Sequence, residues 1–181
     1  MGVSPKTTEY LKECMADALL RAMKEKPIFK ITVNEITENA GVNRSTWFRN
    51  FSDKNEAITF KLIRLWDRWA DEHGMKERRR YTLDNAEDFF AFNYSIQDLL
   101  SEIYREGLQV CVHNAFYQVM MPQYGADPGE CYEARFYSFG LFGFLDEWIQ
   151  RDFYETPEEV TALFRKMMGQ KKNHRPFSGA T

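Results

Sequence analysis

The chain has 181 residues, of which 44% are hydrophobic and 15% aromatic, and it carries a net charge of −3. This apolar content excludes a disordered chain, and the length allows a sizeable core in one domain or two small ones. The charge does not indicate nucleic-acid binding, because such domains are often strongly basic. Residues 1–60 hold nine Lys and Arg against eight Asp and Glu, so the acidic excess lies in the rest of the chain.

The cysteines and the apolar segments favour a cytoplasmic protein. The three cysteines, Cys14, Cys111 and Cys131, are odd in number and have no CxxC spacing, which is typical of reduced thiols. Residues 1–10 contain no apolar run of the kind found in signal peptides. No segment approaches the roughly 18 consecutive apolar residues of a membrane-spanning helix, so we expect no membrane partner.

The first predicted helix begins at Thr7 or Thr8 and ends at Pro27. Its apolar residues recur at helical spacing and therefore mark one face of the helix. These residues are Leu11, Met15, Ala18, Leu19 and Ala22. We expect this face to be buried and the helix to act as a scaffold for the elements that follow it.

Two short helices around a tight turn are predicted for residues 31–54. Thr32 and Glu35 have the spacing of a capping box, in which each side chain binds the other residue's backbone N–H. Val33, Ile36 and Ala40 then form the buried stripe of the first short helix. Gly41 follows where a left-handed residue ends a helix.

The next two helix starts are also marked by polar residues. Asn43 is expected to cap the second short helix, and Ser52 is expected to cap the helix after it. That third helix is predicted to end near Gly74, with an apolar side formed by Ala57, Ile58, Leu62, Leu65, Trp66 and Trp69. The basic run at 76–80 follows, and we interpret it as a solvated linker rather than a DNA contact.

The middle of the chain predicts two further helices and a loop. Thr82 and Asp84 can cap a helix that continues without a break through Leu100 to Gly107. A second helix is expected from about residue 108 to residue 121. The segment 123–130 contains two glycines and a proline, which is typical of a loop.

The helix predicted over residues 131–153 is apolar on nearly every side between Phe136 and Ile149, so we expect it to be buried on every side. Thr156 and Glu159 form a second capping box, which starts the last helix. The two helices are predicted to form half of a four-helix bundle that a second copy of the chain completes. The predicted dimer contacts are Phe136, Phe139, Gly140, Gly143, Trp148, Val160, Leu163, Phe164 and Met167.

A pattern of fixed offsets runs through residues 32–54. It comprises Thr32, Ala40-Gly41-Val42, Asn43, Thr46-Trp47-Phe48, Phe51 and Lys54. In this pattern the segment resembles the DNA-binding region of the TetR family of bacterial transcriptional regulators. The resemblance implies a helix-turn-helix that binds double-stranded operator DNA and a protein that works as a homodimer.

The C-terminal part carries a second resemblance. The segments YSFGLFGFLDEWI and TPEEVTALFRKMM are similar to the C-terminal domain of a regulator group that includes activators of dihydroxyacetone kinase operons. Together the two resemblances imply an all-α protein. We expect a three-helix helix-turn-helix domain at 1–54, a helical effector and dimerisation domain at 55–172 and a disordered tail at 173–181.

The predicted DNA contacts lie around the second short helix. Arg44, near its start, is the candidate for a guanine edge, since arginine can bond guanine through two donors. The resemblance implies phosphate contacts at the positions of Thr46, Phe48 and Lys54. The family usually has Tyr at the Phe48 position, however, and the Phe48 ring has no hydroxyl to donate to a phosphate. The full predicted set is Thr32, Asn34, Asn43, Arg44, Ser45, Thr46, Phe48, Arg49 and Lys54.

An effector site is predicted among the middle helices, because small-molecule sites are mostly apolar with a few polar groups. Its residues are Phe89, Phe92, Tyr104, His113, Phe116, Tyr117 and Met120. The alternative is that this aromatic stripe is simply core. We hypothesise that a hydrophobic effector binds there.

The sequence contains no pattern typical of an enzyme. His73, His113 and His174 are far apart and have no metal-ligand spacing, so we expect no metal, no cofactor and no catalytic residue. The first functional hypothesis is a homodimeric transcriptional regulator, a repressor in our interpretation, controlled by an effector. The alternative is a protein-interaction module of the same fold that acts through a partner protein.

Overall fold

The computed structural model describes residues 5–75, 86–120 and 127–169. These residues fold almost entirely into α-helices, and none of them belongs to a strand, which confirms the predicted all-α class. The helices are α1 (Pro5–Met23), α2 (Val33–Asn39), α3 (Arg44–Asn50), α4 (Lys54–Glu72), α5 (Ala86–Ser95), α6 (Gln97–Arg105), α7 (Gln109–Met120), α8 (Pro128–Gln150) and α9 (Pro157–Gly169). A short 3-10 helix, Ile28–Lys30, lies between α1 and α2.

Helix α1 buries the face that its sequence predicts. Met15 and Leu19 are fully buried, and Ala18 is nearly so. The same helix is tied to α4 by ion pairs on its other side: Glu13 lies 3.0 Å from Arg64 Nε and 2.9 Å from Arg68 Nη2. Apolar packing and charge therefore hold these two long helices together.

The helix predicted to run from the caps Thr82 and Asp84 to Gly107 is not continuous, because the chain breaks at Ile96 into α5 and α6. Ile96 adopts φ −115° and ψ 22°, outside the helical region. Polar side chains compete for the last carbonyls of α5: Asn93 Nδ2 donates to Phe89 O at 2.8 Å, and Ser95 Oγ donates to Phe92 O at 2.6 Å. The break allows both helices to bury apolar side chains in one core.

Helix α8 begins at Pro128, so the predicted loop at 123–130 ends sooner and the helix starts earlier than expected. The Cys131 N–H donates to Asp127 O at 3.2 Å, which makes Asp127 the residue before the first helical turn. Proline suits the position after it, since its fixed φ is helical and the N–H that it lacks would have no helical partner there.

The turn between α8 and α9 is tightly held. Asp152 and Phe153 both have φ of 53°, a left-handed conformation that is strained for residues with a side chain. Phe153 is buried against Trp148, with 4.9 Å between ring centroids. The predicted capping box of α9 is confirmed: the Thr156 N–H donates to Glu159 at 2.9 Å, and the Glu159 N–H donates to Thr156 Oγ1 at 3.3 Å.

Beside a smaller apolar cluster of Trp66, Phe92 and Val119, the main cluster of the core extends from Met15 in α1 to Phe164 in α9. Residues on both sides of position 54 belong to it, and the boundary between the two predicted domains stays a prediction. Several expectations fall outside the described residues: the basic run at 76–80, the caps Thr82 and Asp84, and the tail at 173–181.

Candidate functional site

The start of α2 is capped by Thr32, whose Oγ1 accepts a hydrogen bond from the Glu35 N–H at 3.2 Å. The Glu35 carboxylate forms an ion pair with Lys26 at 2.7 Å, which ties α2 to the end of α1. The Lys26 hydrogen bond is the main reason why the pKa of Glu35 lies below its ordinary value, and the Thr32 N–H contributes. The predicted cap on Thr32 is confirmed.

The turn between α2 and α3 is fixed by its backbone. Gly41 has φ of +67°, and its N–H donates to Glu38 O at 3.1 Å while the Val42 N–H donates to Thr37 O at 2.9 Å. These two bonds are those of a Schellman motif, as Gly41 predicts. Asn43 stands at the N-cap position of α3, but its side chain makes no capping hydrogen bond, so the expected side-chain cap is wrong.

The orientation of α3 about its own axis is set by Trp47, which is 1% exposed. Its ring lies 5.2 Å from that of Phe51, which is also buried. Because one face of the helix is locked into the core, the opposite face is left to solvent. The exposed residues on it are Arg44, Ser45, Phe48 and Arg49.

The two arginines on this exposed face each contact other residues of α3. The Arg44 guanidinium lies over the Phe48 ring, 5.1 Å from its centroid, and Phe48 itself is 57% exposed. Arg49 donates from Nε to Ser45 O and from Nη2 to Thr46 Oγ1, both at 3.3 Å. The face therefore presents two cations, one hydroxyl and one aromatic ring from a single short helix.

Two residues of the predicted DNA set point toward the protein. Thr46 is 7% exposed, and its hydroxyl accepts the bond from Arg49. Lys54 Nζ donates to Ile28 O at 2.6 Å and to Ile31 O at 3.0 Å. The remaining members of the set, which include Thr32 and Asn34, are exposed. Phosphate contact at Thr46 and Lys54 stays a prediction.

Helix α4 is capped by Asp53 rather than by Ser52, which corrects the expected cap. Asp53 Oδ1 accepts a hydrogen bond from the Glu56 N–H at 2.8 Å. The Glu56 carboxylate in turn accepts from the N–H and the hydroxyl of Ser52, at 2.7 and 2.8 Å. Ser52 therefore stabilises the same helix start as a donor.

A small apolar cavity of about 30 Å³ lies among α4, α5, α6 and α7. Of the predicted effector residues, Phe89, Phe92 and Phe116 line it, whereas Tyr104, His113 and Tyr117 do not. The Met120 side chain lies outside the described part of the structure. The volume accommodates about one or two water-sized molecules, so a larger effector needs the surrounding helices to separate.

Two polar residues of the predicted effector site, His113 and Tyr104, instead contact side chains of α8. The His113 ring contacts Phe139, with 4.4 Å between centroids, and its buried Nε2 has no hydrogen-bond partner. Burial, with a smaller effect from Arg135, holds the pKa of His113 below its ordinary value. Tyr104 donates its hydroxyl to Asp146 at 2.7 Å, and burial together with that carboxylate raises the pKa of Tyr104.

Helices α8 and α9 expose an apolar face in the single chain, and the expected burial of α8 on every side by a second copy stays a prediction. Phe139 is 54% exposed, and Leu163 and Met167 are each 49% exposed. A Cβ added at Gly140 or Gly143 would meet no atom within 4 Å. Six of the nine predicted dimer contacts lie at the surface: Phe136, Phe139, Gly140, Gly143, Leu163 and Met167. The other three, Trp148, Val160 and Phe164, are buried within the chain.

One contact near the site has no sequence signal. Glu106, at the end of α6, accepts a hydrogen bond from the Ile28 N–H at 2.8 Å. The two residues are 78 positions apart, and a glutamate before a glycine is an ordinary helix end. Neither spacing nor composition predicts such a pair.

No protein-family model matches the chain, and no curated protein is significantly similar to it. Within the described ranges, none of the helices has the length and apolar character needed to cross a bilayer. Nor do three or more His, Cys, Asp or Glu side chains gather there in a group that could hold a metal ion. The candidate functional site is therefore the exposed cationic face of α3, which carries Arg44 and Arg49.

Proposed function

We propose that the chain is a DNA-binding transcriptional regulator that acts as a homodimer and reads double-stranded operator DNA through α3. The observation that carries the proposal is the exposed face of α3, with Arg44 and Arg49 presented on a helix that buried Trp47 holds in one orientation. The Gly41 turn before it supports the same function, since two helices joined by a short turn are a recurring DNA-binding arrangement. The resemblance to TetR-family regulators also supports it, and we infer repression as the outcome.

In this function α3 lies in the major groove, where each base pair presents a distinct pattern of donors and acceptors. Arg44 stands at the N-terminal end of α3, the part of a recognition helix that contacts base edges. The two copies of α3 in a dimer would reach successive grooves if they lay about 34 Å apart. An effector that weakens DNA binding must itself bind the DNA-bound form more weakly, because coupling between two sites is reciprocal.

Substitution Arg44→Ala tests the proposal. A bidentate arginine contact with a base is worth about 1–3 kcal/mol, so we expect affinity to fall about five- to 150-fold. Binding is measured by gel shift with DNA from upstream of the protein's own gene, at low and moderate salt. Arg105→Ala, which removes an exposed arginine on α6, is the matched control and should leave affinity unchanged.

A second candidate function is that of a protein-interaction module. Specific observations favour it: the hydroxyl of Thr46 and the ammonium of Lys54 are engaged inside the protein, and α3 exposes the Phe48 ring. An exposed aromatic beside an arginine is typical of a protein interface as well. Absence of DNA binding at low salt, where phosphate contacts are strongest, would support this candidate over the first.

We also propose a hydrophobic effector for the cavity among α4 to α7. Its walls are nearly all apolar, and Asn93 adds one polar side chain. Such a ligand would have to enlarge the present space of about 30 Å³. A compound screen read out by melting temperature and by DNA affinity tests this, and a screen in which no compound changes either would contradict it.

A further inference from the structure

The segment that leads into α2 is held by polar contacts from two distant parts of the chain. This pre-α2 segment, residues 28–31, contains the 3-10 helix Ile28–Lys30. The Ile28 N–H has no helical partner because Ile28 is the first residue of that helix. Glu106 supplies the partner at 2.8 Å, from the end of α6.

Lys54 holds the same segment from the other side. Its ammonium binds the carbonyl oxygens of Ile28 and Ile31, so both backbone groups of Ile28 are bound to charged side chains. Hydrogen bonds to charged groups are roughly twice as strong as those between neutral groups. The segment is therefore fixed in position before Thr32 starts α2.

Glu106, which holds the Ile28 N–H, lies in the connection between α6 and α7, and both of these helices contribute residues to the cavity wall. Leu100 lines the cavity from α6, and Val112, Ala115 and Phe116 line it from α7. The chain passes from α6 to α7 through Glu106, Gly107 and Leu108. This turn therefore connects two helices that border the same cavity.

We propose that Glu106 is a positioning residue that transmits displacement of α6 and α7 to the pre-α2 segment, and so to α2 and α3. An apolar group larger than the cavity pushes these walls apart, because packed helices shift rather than compress. The turn then moves and pulls on Ile28 through Glu106. The inference rests on the proposed DNA function for its outcome, but its structural step is independent of DNA.

The structural step is tested by hydrogen exchange of the backbone amides at residues 28–36 in the full chain without DNA. Glu106→Ala leaves the Ile28 N–H without its acceptor, and we expect that amide to exchange about tenfold faster or more. Glu106→Gln keeps an acceptor oxygen and should restore most of the protection. Glu102→Ala, one turn earlier on α6, is the control and should change nothing in this region. Unchanged exchange in Glu106→Ala would overturn the proposal.

Transmission is tested by overfilling the cavity. Ala115→Leu adds three carbon atoms to a space of about 30 Å³ and stands in for an effector. We expect it to speed exchange at residues 28–31 in the wild-type background but to add nothing in Glu106→Ala, since contacts that act in series are non-additive. Ala115→Val makes the same test with less strain if the leucine variant does not fold. Equal effects in both backgrounds would overturn the proposal.

The DNA arm separates this inference from the proposed function. If the wild-type chain binds operator DNA, Glu106→Ala should alter its affinity several-fold while Glu102→Ala should not. If the wild-type chain binds no DNA at low salt, the proposed function fails, and the exchange measurements still decide whether Glu106 positions the pre-α2 segment. An altered exchange pattern with unaltered DNA affinity would overturn the link from Glu106 to α3.

Discussion

The Lys54 side chain binds backbone carbonyls of the protein itself, although its position is predicted to contact a DNA phosphate. Lys54 is the first residue of α4, and its ammonium donates hydrogen bonds to the carbonyl oxygens of Ile28 and Ile31. Losing a charged donor to these part-buried carbonyls costs free energy, so Lys54 is tied to the stability of the pre-α2 segment. Loss of DNA binding in a Lys54 variant therefore does not by itself demonstrate a phosphate contact.

We expect Lys54→Ala to lower the free energy of unfolding by about 2 kcal/mol, because two hydrogen bonds to a charged donor are lost. Urea unfolding followed by circular dichroism measures the change. Lys30→Ala is the matched control, since Lys30 lies over the Phe29 ring at the exposed surface and should change stability by less than about 0.5 kcal/mol. Equal stability of both variants would contradict the role assigned to Lys54.

At the scale of elements, charge holds α1 against α4. Glu13 faces Arg64 and Arg68, and Lys61, which is 6% exposed, pairs with Asp17 at 2.6 Å. Partial burial alone would raise the pKa of Glu13, but Arg64, Lys61 and Arg68 together hold it below its ordinary value of 4.5. The folded state thus favours the charged carboxylate.

The lowered pKa of Glu13 predicts a pH dependence of stability. A carboxylate whose pKa is depressed by folding stabilises the protein above its unfolded-state value of 4.5, and this contribution is lost as the pH falls through the folded-state pKa. We expect Glu13→Gln to be less stable than the wild type near neutral pH, and the gap to close on acidification.

Urea midpoints measured from neutral pH down to about pH 3 would show this convergence. Glu9→Gln is the control, because Glu9 is half exposed and, among the described residues, forms its ion pair with Arg64 at 3.2 Å. Exposed pairs of this kind contribute about 0–1 kcal/mol, so its gap should be small at every pH. A gap for Glu13→Gln that stays constant with pH would contradict the assignment.

Element boundaries were predictable where a local signal decides them. Gly41 ends α2 and the Thr156 capping box starts α9, because both motifs depend on neighbours within a few residues. The break at Ile96 was not predictable, since the apolar pattern continues through it. There the competition of Asn93 and Ser95 for backbone carbonyls, and the burial of both helices, decide the outcome.

At the scale of the whole molecule, the exposed apolar face of α8 and α9 is the main feature that a single chain leaves uncovered. Its open glycines, Gly140 and Gly143, allow another backbone to approach closely. Each glycine costs about 1 kcal/mol relative to alanine within a helix, so a packing reason for both is reasonable. Together with the exposure of Phe139, Leu163 and Met167, this supports the proposed homodimer.

We expect Leu163→Glu to weaken dimerisation at least about thirtyfold, because a central apolar contact is often worth 2 kcal/mol or more and a buried charge is costly. Sedimentation velocity over a range of concentrations measures the monomer–dimer equilibrium. Tyr154→Glu adds the same charge at a residue that is 82% exposed in the α8–α9 turn, and it should leave the equilibrium unchanged. A wild-type chain that is monomeric throughout would contradict the dimer.

The sequence by itself determined the all-α class, the buried faces of α1 and α4 and the turn at Gly41, because helical periodicity and capping act over short distances. Only the tertiary structure decided which members of the predicted sites are accessible. It turns Lys54 and Thr46 inward, leaves Tyr104 and His113 out of the cavity, and joins Glu106 to Ile28. These contacts link residues far apart in the chain, so no local pattern can encode them.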